Sequence, residues 1–485
     1  MYPPFVFDET INYGNSNNNI KHEIVCAIDF GTSRTGAAWM KKTSNFSRNQ
    51  ISPTDVTRIQ LDLNDQNFKT QTAILFKKTN SNKWEPISFG KSAEKEYLKL
   101  KNNEINNYQL FNHYQMKLYG NNSKNPKIRS YSGEEWKFTQ VLSGVFRFIN
   151  KKFVEAVKKY YKKKKYNLDK ETVRWVLTVP AICKDQEKII MRRAFYQAGL
   201  ISSKDSANLL FCYKPVGAAL DFFQDNRNQL NKFKNQNLLV VDAGRGTIDI
   251  TLMKPTIVNN EIEKFEILMV PKGGDFGSIY IDQEFLKFFQ NFLNLNVYQF
   301  NQFKNECQKG FLKLLNQWEL LIRGIEIDQM DQNCVHTIEM PSRLLRYLKK
   351  KFRIKDFEAL TDQFKKRNQN SGLSEIEWDD DEDSLVILGD RIKSFFEEPI
   401  QKLQNDLNKF KQSSEILRQT DIVFFTGGLS DCQYLRKSVQ KILGKNYQYY
   451  LSPYPDKSFL LGSVYFGFDP EIISIKRSQF TIRNY

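Results

Sequence analysis

A chain of 485 residues is long enough for about three domains, and 40% hydrophobic residues with 38 phenylalanines supply ample core, which excludes a disordered chain. The formal charge is +17, but lysine is used throughout and asparagine and glutamine are abundant as well, so a general bias explains much of the excess; no nucleic-acid recognition module accompanies it. No apolar run approaches bilayer length, and residues 1–22 form a polar, Asn-rich tail bearing Asp8 and Glu9 unlike a secretory leader, so a cytoplasmic location is expected.

The first predicted element is a buried β-run, Val25-Cys26-Ala27-Ile28-Asp29, that ends in a carboxylate and runs into Phe30-Gly31-Thr32-Ser33-Arg34-Thr35-Gly36. Asn-rich stretches near residues 101–125 read as a variable insertion. A helix follows over 138–161, with Val141, Val145, Phe146, Ile149, Phe153 and Val157 on one face. Its basic end, Lys158–Lys165, suits the negative end of the helix dipole, and peripheral contact with an anionic surface is the alternative. Then come the strand of Trp175-Val176-Leu177-Thr178-Val179-Pro180-Ala181, a helix ending at Ala198-Gly199-Leu200, and Lys214-Pro215-Val216-Gly217.

The second β-run, Leu238-Leu239-Val240-Val241-Asp242, meets Ala243-Gly244-Arg245-Gly246-Thr247-Ile248-Asp249, and the alternation continuing to Met253 predicts a returning strand. Further on lie Lys272-Gly273-Gly274-Asp275-Phe276-Gly277, a helical stretch over 278–325, and the acidic run Glu375–Asp383, expected as a surface loop before a strand Leu385–Leu388. Thr426-Gly427-Gly428-Leu429-Ser430 and Leu461-Gly462-Ser463-Val464 close the series. Six scattered cysteines with no C-x-x-C pair read as buried, reduced thiols.

The two Asp-Gly turns carry the chemistry. A carboxylate that closes an apolar run is costly without a partner or a cation, and glycine lets bare backbone N–H groups approach phosphate oxygens. Two such turns, about two hundred residues apart, predict a nucleotide polyphosphate and hydrated Mg²⁺ gripped from both sides. Neither is a commoner motif. Ala37-Ala38 stands where a P-loop needs Lys-Ser/Thr, and Asp249 stands where a dinucleotide fingerprint needs its third glycine.

Strand, tight glycine turn and second strand, with these landmarks in this order over roughly residues 24–475, resemble the actin-like ATPase superfamily and, within it, the heat-shock-70 branch. The segment Leu461–Glu471 with Arg477-Ser478-Gln479-Phe480-Thr481 looks like the heat shock 70 kDa protein 12 group. The resemblance implies an α/β actin-like ATPase fold, two lobes each with a mixed sheet and flanking helices around an interlobe nucleotide cleft. The expected division is a tail at 1–22, lobe I at 23–235, lobe II at 236–464, and a C-terminal helix and tail at 465–485 returning to lobe I.

The resemblance also implies roles. Asp29 and Asp242 hold Mg²⁺ through water, Asp249 orients the attacking water, and Thr32 and Thr247 bond phosphate. Amides of Gly31, Thr32 and Ser33 and of Gly244, Arg245, Gly246 and Thr247 form the phosphate nest; Gly273, Gly274, Gly427 and Gly428 admit ribose and adenine. Glu319 and Arg323, on a helix Phe311–Ile325, match the adenosine clamp. ATP or ADP and Mg²⁺ are the implied cofactors, with unknown protein partners or co-chaperones.

Departures from the pattern point away from fast turnover. Lys214 replaces the family's Glu before Pro; Arg34 and Arg245 add cations to the loops; Ile322 and Asp431 replace adenosine-side bases. The family's first-lobe Lys is expected near Gly90–Lys95, with Glu94 in its place in one register. Charges aimed at the transition state govern rate, so a nucleotide-dependent switch with slow hydrolysis is expected, the alternatives being a nucleotide-binding pseudoenzyme or an actin-like scaffold or filament protein. No β-rich peptide-binding domain is expected after the last helix.

Overall fold

The computed structural model describes residues 22–475 apart from 43–51, 66, 102, 113, 120–124, 163–167, 275–276, 327, 331–332, 370–375, 414–419 and 456. Residues 1–21 of the polar tail, Lys163–Lys165, Asp275-Phe276, Glu375 and the motif at Arg477–Thr481 lie outside the described residues. Two compact units divide the chain: Met1–Gly274 with Ser414–Gly427 and Asn446–Tyr485, and Asp275–Ser413 with Gly428–Lys445.

The first unit holds two mixed sheets. In one, the strand order is Leu209–Tyr213, Val173–Val179, Ile24–Phe30, Arg34–Lys41 and Thr57–Ile59, and the short strand Lys69–Gln71 also pairs with Arg34–Lys41. Ile24–Phe30 runs parallel to Val173–Val179 and antiparallel to Arg34–Lys41, which sets Asp29 opposite Gly36. Every residue of Ile24–Phe30 is buried, as a near-continuous apolar run covered on both faces requires. The helix Phe138–Tyr160 buries its predicted stripe from Val141 to Val157, with the Phe146 and Phe195 ring centroids 4.1 Å apart.

In the other sheet the order is Gln448–Leu451, Thr420–Thr426, Asn237–Ala243, Ile248–Val258, Glu261–Gly274 and Ile473–Ile475. The returning strand predicted after the second turn is present, and it sets Asp249 opposite Asp242. The helix Lys214–Asp225 packs on Ser458–Phe468, which begins before Gly462. A Cβ at Gly462 would overlap the Gly217 backbone, so the two helix axes approach as only glycine permits. The expected insertion contributes the strand Tyr108–Asn112 to a sheet with Ala73–Lys78 and Trp84–Phe89, and then a 3-10 turn, Gln115–Leu118.

In the second unit, Ser278–Phe292 and Gln308–Gly324 meet through Phe285 and Trp318, stacked 4.1 Å apart. The acidic run departs from the expected loop. Ile376–Asp379 is a strand paired antiparallel with Ser384–Leu388, leaving only 380–383 as the turn. Ile376 is buried and Trp378 stacks on Phe357 at 4.7 Å, so two inward side chains override the like charges between them. All six cysteines are free; five are buried and Cys334 is partly so. Among the described residues no helix is long and apolar enough to cross a membrane.

Candidate functional site

In the first unit both Asp-Gly turns and Thr178-Val179-Pro180-Ala181 contribute to one buried group of charges. Asp29 is 1% exposed. Lys214 places Nζ 3.1 Å from Asp29 Oδ1, Lys69 pairs with Oδ2, and the Thr178 hydroxyl donates to Oδ1. Burial alone would raise the Asp29 pKa. The ammonium groups of Lys214 and Lys69, with hydrogen bonds from Lys69 and Thr178, hold it instead well below the usual carboxylate range. Burial likewise opposes the charge on Lys214, but Asp29 and Asp242 raise its pKa above the ordinary value.

The second turn carries the opposite imbalance. Asp242 and Asp249 are buried and face each other in register. Burial, and for Asp242 the neighbouring Asp249, push both carboxyls upward. The Ala181 N–H (3.3 Å) and the Thr247 hydroxyl (3.1 Å) hold Asp249 Oδ2, while its buried Oδ1 has no hydrogen-bond partner. Gly244 N–H donates to Thr247 O at 2.8 Å and closes the turn.

Gly427 lies in the left-handed region (φ 87°), and a Cβ there would stand 2.5 Å from both Asp242 Oδ1 and Ala243 O. Gly273 lies directly behind Asp249 Oδ1, and Gly274 pairs with Ile248. In the first turn Thr72 N–H donates to Ser33 O, and its hydroxyl to Gly31 O, both at 2.7 Å. Arg34 turns toward Asp65 (3.8 Å), and Arg245 is half-buried and acts electrostatically on Tyr131.

Glu319 and Arg323 belong to the second unit, on Gln308–Gly324; Glu319 is buried, and the Arg323 side chain lies outside the described residues. Gly428, in the same unit, opens the 3-10 turn Gly428–Asp431.

The lysines at Asp29 are Lys69 and Lys214; of the segment Gly90–Lys95, Lys91 pairs with Asp65 at 3.4 Å and Glu94 is buried beside Asn112. Lys69 reaches Asp29 because its strand lies antiparallel to Arg34–Lys41, opposite Gly36, where a Cβ would strike the Lys69 stem. A single lysine in a three-residue strand has no periodic signature, so sequence reading had nothing to find. Thr178 and Ala181 were visible as a motif but not as ligands of the two carboxylates.

Three carboxylates against two ammonium groups leave the buried site short of positive charge, and the orphaned Asp249 Oδ1 is an oxygen donor without a partner. Among the described residues no three Asp, Glu, His or Cys side chains converge closely enough to ligate a bare ion. A shortage of positive charge beside an unpartnered carboxylate oxygen suits a bound cation.

No family model matches the chain. It is 24% identical to Heat shock 70 kDa protein 12A of Homo sapiens over 511 aligned residues, covering 94% of this chain and 71% of that protein, with the same identity and coverage for the Mus musculus protein. To Heat shock 70 kDa protein 12B of Homo sapiens it is 21% identical, covering 94% and 70%. With two strand-turn-strand units in mixed sheets and the charged site they build, the chain is similar to the heat shock 70 kDa protein 12 branch of the heat-shock-70 proteins, and its mixed α/β fold is of the actin-like ATPase type.

Proposed function

We propose that this nucleotide-binding, actin-like ATPase-type chain is a switch that binds ATP or ADP with Mg²⁺ and hydrolyses ATP slowly. The observation that carries the reading is the convergence of Asp29, Asp242 and Asp249 with Lys69 and Lys214 at two glycine turns. The amides of Gly31–Ser33 and Arg245–Thr247, with the Thr32 hydroxyl, bind phosphate oxygens as an oriented nest. Asp29 and Asp242 hold hydrated Mg²⁺, which when bound neutralises phosphate charge.

Asp249, fixed through Oδ2 by Ala181 and Thr247, orients a water at Oδ1 and accepts its proton as the water oxygen bonds the terminal phosphorus, the bond from that phosphorus to the ADP oxygen breaks, and ADP leaves. Gly273, Gly274 and Gly427 take the adenosine side. Lobes at 23–235 and 236–464, a cytoplasmic location and protein partners or co-chaperones belong to the same proposal.

Slow turnover follows from Lys214. It stands where the family pattern has a carboxylate that positions the metal's water shell, so that positioning is lost while Lys214 pairs with Asp29. The same observation supports the second reading, a pseudoenzyme. Single-turnover phosphate release with Mg-ATP separates the two: slow release above the no-enzyme rate supports the switch, and none supports the pseudoenzyme. Binding itself is tested by thermal shift; ligand at 100 times its Kd should stabilise the fold by about 2.7 kcal/mol, and no shift with either nucleotide defeats both readings.

A further inference from the structure

The first turn is met by a segment that belongs to neither Asp-Gly loop. Gln115, 3% exposed at the start of the turn Gln115–Leu118, makes two side-chain hydrogen bonds into it. Its amide donates to Phe30 O at 2.5 Å, and its oxygen accepts from the Thr32 hydroxyl at 2.6 Å. The next residue, Met116, sets its sulfur against Gly246 of the second turn, where any side chain would collide with it and would stand 2.5 Å from Thr32 Oγ1. Thr32 Oγ1 thus lies beside Gly246 and near Thr247, whose hydroxyl bonds Asp249, the residue to which the proposed function gives the water that attacks the terminal phosphate.

A threonine hydroxyl has one proton to give. Donated to Gln115, it is withheld from phosphate. Donated to phosphate, it leaves a buried Gln115 oxygen without its donor, a cost relieved only if the side chain or its turn moves.

We propose that Gln115 is a positioning residue that senses the terminal phosphate through Thr32. A triphosphate takes the Thr32 proton and shifts the turn Gln115–Leu118; a diphosphate leaves the Thr32–Gln115 bond intact. This rests on the nucleotide reading above and names the element that responds. The turn can transmit the shift: Tyr114 lies 6.0 Å from both Phe30 and Phe138, ring to ring, so it touches the first strand and the start of the helix Phe138–Tyr160. The Tyr114 and Tyr119 hydroxyls flanking the turn are buried without hydrogen-bond partners, so the packing there holds unused polar groups that a second arrangement can satisfy.

Hydrogen exchange on the full chain tests this, comparing saturating Mg-ADP with Mg²⁺ and adenylyl imidodiphosphate, a triphosphate that is not hydrolysed. The amides of Lys117 and Tyr119, which bond Tyr114 O and Met116 O, should exchange several-fold differently between the two ligands. Gln115→Met, which removes the competing acceptor at similar size, should raise the ratio of triphosphate to diphosphate affinity roughly five-fold. If neither nucleotide binds, the site reading itself fails and the sensor with it. If both bind but exchange is equal and Gln115→Met scales both affinities alike, only the sensor is overturned. Should Gln115→Met not fold, the exchange comparison on the unaltered protein decides alone.

Discussion

At the scale of single residues, Asp29 is held by two lysines and a threonine on strands and a helix that are distant in sequence. Which lysine matters to the reaction is directly testable. Lys69→Met should lower phosphate release a hundredfold or more, because it removes a fixed charge from the reacting region, whereas Lys91→Met and Lys95→Met should change it less than threefold. Equal losses in all three would restore the 90–95 segment as the source of the lysine.

His22 makes a residue-scale prediction about pH. Burial, and then the Arg174 charge, lower its pKa from 6.5 to about 4, so the folded state resists a proton that the unfolded chain accepts. The sign follows: this contribution is fully present above about 6.5 and is lost as pH falls toward 4. The side chain is only half-buried, so solvent screening limits the loss to about 1–2 kcal/mol. His22→Gln should flatten the thermal midpoint between pH 6.5 and 4 relative to the parent, and parallel curves would remove His22 as the cause.

At the scale of elements, what was legible depended on whether a pattern repeats. The strands ending at Asp29 and Asp242 announce themselves as apolar runs, and the helix Phe138–Tyr160 as a stripe of period 3.6. Ile376–Asp379 did not, because two inward side chains among the seven acids of Glu375–Asp383 give too short an alternation to outweigh the charge signal. The strand Lys69–Gln71 is shorter still and is defined only by its partner. The close crossing of Lys214–Asp225 and Ser458–Phe468 is likewise a fact of packing that a lone glycine in a sequence does not specify.

That crossing can be probed against an internal control. Gly462→Ala drives a methyl into the Gly217 backbone, and the helices, each packed on a sheet, have little room to separate; a loss of about 1–3 kcal/mol in urea unfolding is expected. Gly324→Ala, at the end of Gln308–Gly324, meets nothing within 4 Å and should be neutral or stabilising by up to about 1 kcal/mol. A neutral Gly462→Ala would mean that the helices can part, and that the crossing does not fix their spacing.

At the scale of the whole molecule, the order of motifs along the chain made the architecture readable, because each glycine turn must sit at the end of a strand and two such strands need two sheets. The balance of charge inside the site was not readable, since it depends on which side chains meet across elements far apart in sequence. That balance makes the two metal-side carboxylates unequal. Asp29 neutralises Lys69 and Lys214, so Asp29→Ala leaves two buried ammonium groups uncompensated and should destabilise the nucleotide-free protein by about 3–5 kcal/mol. Asp242 faces Asp249, a like charge in a buried place, and without a cation the pair is held together against repulsion. Asp242→Asn keeps the shape and removes that repulsion, so the nucleotide-free protein should gain about 1 kcal/mol while losing the Mg²⁺-dependent part of its stabilisation by ADP or ATP. Thermal unfolding of both variants, with and without Mg²⁺ and nucleotide, reads both effects at once. If Asp242→Asn instead weakens the nucleotide-free protein as Asp29→Ala does, then Asp242 is a structural partner of the lysines, and the cation site must be sought at Asp249 alone.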